Sequence, residues 1–524
     1  MKKEHREGLG NAFPGKGKAR WPEGRIAELE SKARLKYEEV HREDYRDVEE
    51  AEANAAIFSE RSNILGVAMY PKQRPTTFPT FPTIISGSCV RRVISAVLFV
   101  VLLMAACATA QNKASDSSGA AFPLPITAQR IADNQNLLGD WGGERSRLAG
   151  KGVNFEFYYV SDFLGNPSGG RNPGFTDWGR IRGTVDVDLG GLTESNAPVF
   201  HITGLWQNGG NLGTEHLASI ANPSSLVSAP TFRLDSWWFQ QALFKSHMFI
   251  KVGQFAGQDF YGHQEYGWSY LLGPLGGSLG NLFSTTYESF DPASTPAAEA
   301  KVVPNKHLYL KSAVLAGNRN PYADDPTGFG FVRRDSPVVV SEIGYLTNSP
   351  DLQASSLSRK LYPGKYKFGS SYNVGDFVDP VTQAKRRGNY LLYLMANQAV
   401  YRKEVGSNRG LDLDFAIDWS PDAVNGINEQ ITGGFRYNGP IPVRKQDTVS
   451  FGFVYSKVSD HFDRSYLLQS LPVLGAEKAF ELNYMFQATH WLVLQPAVQY
   501  YADRGANSHR GDAVAAGFRL KVTF

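Results

Sequence analysis

The chain ends, from Val514 to Phe524, with VAAGFRLKVTF. In an extended chain successive side chains point to opposite faces, so Phe518, Leu520, Val522 and Phe524 share one side while Arg519, Lys521 and Thr523 share the other. An apolar face backed by a face with two cations suits a wall with lipid outside and water inside. The same alternation recurs upstream. In LDLDFAIDW, Leu411, Leu413, Phe415, Ile417 and Trp419 alternate with Asp412, Asp414, Ala416 and Asp418. In IRGTVDVDL, Ile181, Val185, Val187 and Leu189 alternate with Arg182, Thr184, Asp186 and Asp188. Such strands predict an all-β fold, a transmembrane antiparallel β-barrel with a polar lumen.

Targeting signals divide the chain before these strands begin. Arg91 and Arg92 precede an apolar run from Val93 to Ala106, VISAVLFVVLLMAA, and the small residues Ala108, Thr109 and Ala110 follow. A charged start, a short apolar core and small residues read as a secretory signal peptide over residues 89–110, cleaved before Gln111. The run has 14 residues, short of the ~20 that a spanning helix needs. MAAC, ending at Cys107, resembles a lipoprotein cleavage box with Met104 in place of the usual Leu, so lipidation of Cys107 and ordinary cleavage after Ala110 both stand as readings. Residues 1–88 are rich in Glu, Arg, Lys and Ala, with a helical-looking patch from Arg25 to Ala56 and a Pro/Thr-rich stretch from Tyr70 to Ser88. A signal behind such a segment is expected of a start placed too far upstream, with Met69 as an alternative, or of a cleaved or disordered leader.

Both cysteines, Cys89 and Cys107, lie in or beside the signal. The expected mature chain, residues 111–524, therefore has no means of forming a disulfide or a thiolate metal site. Of 54 Lys+Arg and 51 Asp+Glu, 15 and 14 precede the signal and two arginines lie in it, which leaves 37 of each sign after Gln111. A nucleic-acid binder carries a basic excess, so neutrality argues against a nucleic-acid partner and favours an uncharged solute.

At ~10 residues per strand plus turns, the chain after Ala110 accommodates roughly 16 strands. Alternating segments begin near Val153, Arg180, Pro198, Asp235, His247, His307, Pro337, Gly364, Gly388, Gly410, Glu429, Asp447, Lys478, Trp491 and Asp512. These make about 15, and because single-chain bacterial barrels use even numbers, sixteen are expected. Between Gln258 and Pro304 the alternation lapses into a Gly- and aromatic-rich stretch containing DFYGHQEYGWSYLLGPLGGSLGNLF. Its length marks a functional loop, expected to fold inward as a constriction. Two Pro/Gly/Asn/Asp clusters, Gly317 to Gly328 and Ser420 to Asn428, read as further loops or turns.

From Leu138 the chain reads LGDWGGERSRLAGKGVNFEFYYVSDFLGNPSGG. This resembles the opening of the carbohydrate-selective porin family, OprB, with its Gly-Asp-Trp-Gly-Gly start at Gly139 to Gly143, a Leu-x-x-x-Gly stretch at Leu148 to Gly152 and a Gly-Asn-x-x-Gly-Gly end at Gly165 to Gly170. PGKYKFGSSYNVGDF from Pro363 and WLVLQPAVQYYADRG from Trp491 resemble later blocks, although Ser370 and Ser371 stand where the family pattern has Gly and Trp. The resemblance implies an outer-membrane barrel through which glucose and related sugars diffuse, narrowed by an eyelet of charged and aromatic side chains. It implies neutral mono- and oligosaccharides as solutes, and a general porin or one for another solute remains an alternative. Trimers are common among general porins, which makes a homotrimer one arrangement open to such a chain.

Sugar passage needs hydroxyl partners and flat apolar faces, held weakly enough for release. Arg180, Arg182, Asp186 and Asp188 supply both charges on one strand, and Asp412 and Asp414 supply acids on another. A ladder of ion pairs that merely stiffens the wall would use the same residues. Glu265, Tyr266, Trp268 and Tyr270 bring acid and rings together in the loop, where the alternative is packing against the wall. Trp237, Trp238 and Phe239 are adjacent, so at least one ring faces opposite to Trp238, and the outward members suit an interfacial aromatic girdle in contact with outer-membrane lipid. The aromatic-ended last strand is the kind of segment that barrel-assembly machinery recognises. HExxH spacing does not occur, and the one GxSxG spacing, GGSLG at Gly276 to Gly280, falls inside the long loop rather than at a strand-to-helix elbow; no cofactor or metal is implied, and an enzymatic barrel or a plugged anchor or adhesin is the rival reading.

Overall fold

Sixteen antiparallel strands close into one barrel in the computed structural model, which describes residues 135–191, 198–348, 361–468 and 474–524. The leader, the signal and Cys107 lie outside the described residues. The first eight strands are β1 (Val153–Ser168), β2 (Phe175–Asp188), β3 (Val199–Gly209), β4 (Thr231–Leu243), β5 (Met248–Phe255), β6 (Thr295–Asn305), β7 (Leu308–Leu315) and β8 (Val338–Thr347). The rest are β9 (Gly364–Val378), β10 (Lys385–Arg402), β11 (Gly410–Trp419), β12 (Ile427–Asn438), β13 (Thr448–Val458), β14 (Ala476–Thr489), β15 (Leu492–Ala502) and β16 (Ala513–Thr523). Each strand pairs with its neighbours in sequence, and β1 closes the wall on β16 through Tyr158 opposite Thr523 and Phe163 opposite Phe518. Closure leaves no strand edge with unpaired backbone groups, which a wall in hydrocarbon requires.

Alternation decides the two faces. Along β11, Asp412, Asp414, Ala416 and Asp418 are buried inside while Leu413, Phe415 and Trp419 are exposed outside. In β16, Arg519 is buried and Phe518 exposed. Short turns and both ends of the described chain lie at one end of the barrel. There Leu137 N–H donates to Thr523 O (2.9 Å), and Arg145 of helix α1 (Glu144–Ala149) donates to Phe524 O (2.8 Å) and Phe155 O (2.7 Å). The Phe157 and Phe524 rings meet at 5.0 Å across the same seam.

The strand that alternation misses is β6, which occupies the end of the stretch expected to be loop. TPAAEAKVVPN presents Ala298, Ala300 and Val302 outward, but two prolines and small side chains blur the pattern. The long loop therefore ends near Ser294 rather than Pro304. Starts also shift: β2 begins at Phe175 and β4 at Thr231, ahead of the expected Arg180 and Asp235. A register change between Thr203 and Gly204 puts a bulge in β4, so Asp235 and Ser236 are both buried although adjacent. Beyond it, Trp238 points inward, while Trp237 meets Phe331 outside and Phe239 meets Phe200 at 4.7 Å.

Candidate functional site

Two loops fold into the lumen. Loop L3 (256–294), with helices α2 (Gly273–Gly276) and α3 (Asn281–Thr286), is buried along most of its length. Loop L2 (210–230) joins it, through Ser225 N–H to Leu271 O (2.8 Å) and Gly273 N–H to Asn222 O (3.0 Å). Both hang from β14. Glu477 accepts the N–H groups of Ile220 (2.8 Å) and Ala221 (2.7 Å), and Glu481 accepts those of Leu271 (2.9 Å) and Leu272. Glu477 and Glu481 lie four residues apart, hence on one face of the strand. Arg519 completes the anchorage: paired with Asp162 (2.7 Å), it donates to Ser225 Oγ (2.9 Å) and Tyr270 O (3.3 Å).

Structure divides the sequence-predicted residues into three groups. Arg180 and Arg182 belong to a buried clamp. Arg182 donates to Asp235 (3.0 Å) and to Asp291 of L3, Arg180 binds Gln207 (2.9 Å), and both guanidinium groups are enclosed. The β4 bulge is what turns Asp235 toward Arg182. Lower on β2, Asp186 pairs with His201 (2.6 Å), and Asp188 caps Gly190 N–H (2.9 Å) at the strand's end. The second group is Trp268, Tyr270 and Asp414. Tyr270 OH donates to Asp414 (2.8 Å), and Trp268 carries the Lys521 ammonium 3.9 Å from its ring centroid.

Glu265, Tyr266 and Asp412 form the third group, on the L3 face turned toward the short-turn end. Glu265 pairs with Lys365 (2.6 Å) and with Lys367, whose ammonium also donates to His263 O (2.6 Å). Burial opposes the charge of Glu265, but the two ammonium groups outweigh it and hold the carboxyl well below the ordinary carboxylate range. Burial, reinforced by Lys367, likewise pushes His263 well below the usual imidazole range. The Arg436 guanidinium stacks 3.6 Å from the Tyr266 centroid and reaches Asp412 (3.1 Å), which also binds Arg402 (2.6 Å). Lys365, Arg436 and Lys521 are only half-buried, so this arc of acids, cations and rings borders the open part of the lumen.

Glycines permit the wall beneath L3 to be flat. A Cβ on Gly344 or Gly369 would fall 2.1 Å from the rings of Tyr309 and Tyr393 respectively. With no side chain there, both tyrosines lie along the wall and donate to Glu342, at 2.7 and 2.8 Å. Glu342 in turn accepts Gly262 N–H of L3 (3.2 Å).

Sequence reasoning missed L2, Glu477 and Glu481, and the basic partners Lys365, Lys367 and Arg436. Carboxylates and cations at inward positions were visible, but which strand faces which loop depends on barrel register. It also missed a Ser-His-Asp alignment, in which His201 lies between Asp186 and Ser236 (3.2 Å). Thr203 shares the same imidazole nitrogen (3.0 Å), Trp238 stacks on the ring, and all these side chains are enclosed in the wall.

A closed sixteen-stranded barrel narrowed from within by loops, with charged and aromatic groups at the narrowing, is the architecture of a porin. Residues 173–524 match the family described as "Carbohydrate-selective porin, OprB family", and the chain belongs to that family. The match begins just after the glycine-rich block at Gly139 to Gly170. Porin B of Pseudomonas aeruginosa is 26% identical over 426 residues, covering 74% of this chain and 91% of that protein. The putative porin QuiX of Acinetobacter baylyi is 25% identical over 422 residues, covering 75% and 94%. The high-pH structure of Pseudomonas putida OprB shares the fold with a TM-score of 0.69 at 21% identity, over 75% of this chain and 99% of that one.

Proposed function

We propose that this porin sits in the outer membrane of a Gram-negative bacterium, with lipid against the apolar outer face, and lets neutral mono- and oligosaccharides such as glucose diffuse passively into the periplasm. The observation that carries the reading is the arc of Glu265, Tyr266, Asp412, Lys365, Arg436, Trp268 and Lys521 beside the open lumen. Carboxylates and cations in alternation match the hydroxyls of a sugar in either hydrogen-bond sense. Ring faces here are shared with cations, so a pyranose would meet ring edges and charged groups rather than a bare aromatic slide.

No catalytic role is assigned. The buried His201 cluster reads as wall structure, since Ser236 has no access to solute and Thr203 competes for the imidazole. Planar-bilayer recording with glucose and maltose, together with liposome swelling on a panel of neutral sugars, tests the proposal. Stepwise conductance that sugars block, with faster swelling in small sugars, is the expected outcome. Silent bilayers would overturn it in favour of a plugged anchor, and conductance indifferent to every sugar would make this a general channel.

A further inference from the structure

Loop L4 (316–337) lies at the long-loop end, where its first half packs on L3 through Tyr322, 6.4 Å from the Phe290 ring, and Arg319, 4.8 Å from the Tyr287 centroid. Its second half fills the edge that β4 leaves open above its pairing with β5, which starts only at Trp237 opposite Gln254. Leu234 N–H donates to Thr327 O (3.0 Å), and Gln254 Nε2 donates to Gly328 O (2.8 Å). Gly328 has φ of 72°, and a Cβ there would lie 1.7 Å from Leu234 O, so only glycine permits the loop to hug the strand. From that glycine the chain runs Phe329-Gly330-Phe331-Val332-Arg333-Arg334.

Those side chains are presented outward. Phe329 is 77% exposed and Phe331 59%, beside Phe232 at 79%. The Phe331 ring contacts the outward Trp237 at 6.2 Å, and Phe232 sits opposite Trp206 in the β3–β4 register. Arg333 and Arg334 are exposed just beyond, with Arg334 3.3 Å from Asp324. The loop thus adds two rings to the belt and sets two cations at its edge.

We propose that L4 is a docking surface for the phosphorylated lipid of the outer leaflet, with Phe329 and Phe331 among the acyl chains and Arg333 and Arg334 on headgroup phosphate. Exposed rings fit the apolar boundary, and paired guanidinium groups complement phosphate. Long loops of such barrels face the cell exterior, so the partner belongs to that leaflet. This inference rests on the outer-membrane reading above.

Native mass spectrometry of the detergent-purified full chain can test it, with bisphosphorylated lipid A, dephosphorylated lipid A, phosphatidylcholine and inorganic phosphate as probes. The wild-type barrel is expected to retain the bisphosphorylated lipid preferentially. Arg333→Gln/Arg334→Gln should lower that preference roughly tenfold, and Phe329→Ala/Phe331→Ala should weaken retention of both forms of lipid A. Both variants should stay heat-modifiable and conduct as wild type, because the substituted side chains are exposed and lie on the half of L4 that does not pack on L3. Equal lipid retention by wild type and the arginine variant, or displacement of the lipid by inorganic phosphate alone, would overturn the proposal. Silent wild-type bilayers would count against the porin reading instead.

Discussion

Replacing Glu265 by Gln removes one negative charge from the narrowed face, where it pairs with the two ammonium groups of Lys365 and Lys367. The loop keeps its strap, because Lys367 still donates to His263 O at 2.6 Å. An ion passing ~7 Å away would feel a change of ~2.4 kcal/mol at an effective dielectric of ~20 and ~0.6 kcal/mol at ~80. With a Debye length of ~10 Å in 0.1 M salt, screening removes only part of this. The partition of each ion should therefore change by ~3-fold at the wet limit and up to ~50-fold at the dry one, down for cations and up for anions, and the permeability ratio shifts toward anions by the product of the two factors. Lys365→Gln, at a side chain 27% exposed, should shift it the other way. Reversal potential across a KCl gradient in planar bilayers measures both. Because the folded carboxyl titrates below its unfolded value, its ion pairs are fully present above about pH 4.3 and are lost only as pH falls through the depressed value. The difference in reversal potential between wild type and Glu265→Gln should accordingly stay constant from pH 7 to about pH 5. An unchanged reversal potential in Glu265→Gln, or shifts of the same sign in the two variants, would refute the assignment of this arc to the ion path.

Three other perturbations separate wall from site. Arg182→Ala removes the cation nearest both Asp235 and Asp291 and leaves Arg180 3.7 Å from Asp291, a loss of up to about 3–5 kcal/mol; the heat-modifiable fraction should fall, and a fully folded variant with normal conductance would show the clamp to be dispensable. Trp268→Ala should weaken the block of current by glucose or maltose several-fold, on the order of 1 kcal/mol, whereas wild-type block would remove Trp268 from the sugar path. Burial, with the Glu342 charge adding to it, pushes the Glu288 carboxyl in L3 up to about 8. The folded state then binds more protons than the unfolded one between about pH 4.5 and 8, so this group makes stability fall as pH rises through that window; Glu288→Gln should flatten the decline in thermal midpoint between pH 5 and 9, and identical profiles would contradict it.

Strands whose two faces differ strongly in chemistry were legible from the residues themselves. β11 and β16 alternate acid or base with large apolar groups, and the structure places those groups on the expected sides. β6 was not legible, because alanines replace the large outward residues and Pro296 and Pro304 read as punctuation. L2 escaped for the opposite reason. Its buried Leu212, Leu217, Ile220 and Leu226 follow no period, and what buries them is L3 and the far wall. The acids and rings of the site were visible as residue types, yet their partners were not. Glu265 meets Lys365 and Tyr266 meets Arg436 only because strands roughly a hundred and more residues downstream come round the barrel to face L3.

The anchoring of L2 and L3 on β14 sets an order of events during synthesis and insertion. Ile220 and Glu477 are 257 residues apart, and Leu271 and Glu481 are 210 apart. Contacts between such distant partners form late, after the intervening chain has been ordered. Until the last hairpins arrive, the backbone N–H groups of Ile220, Ala221, Leu271 and Leu272 await the β14 carboxylates that accept them. The narrow passage is thus the final product of assembly, and a chain stalled before β14 would be an open shell of thirteen strands rather than a smaller selective pore.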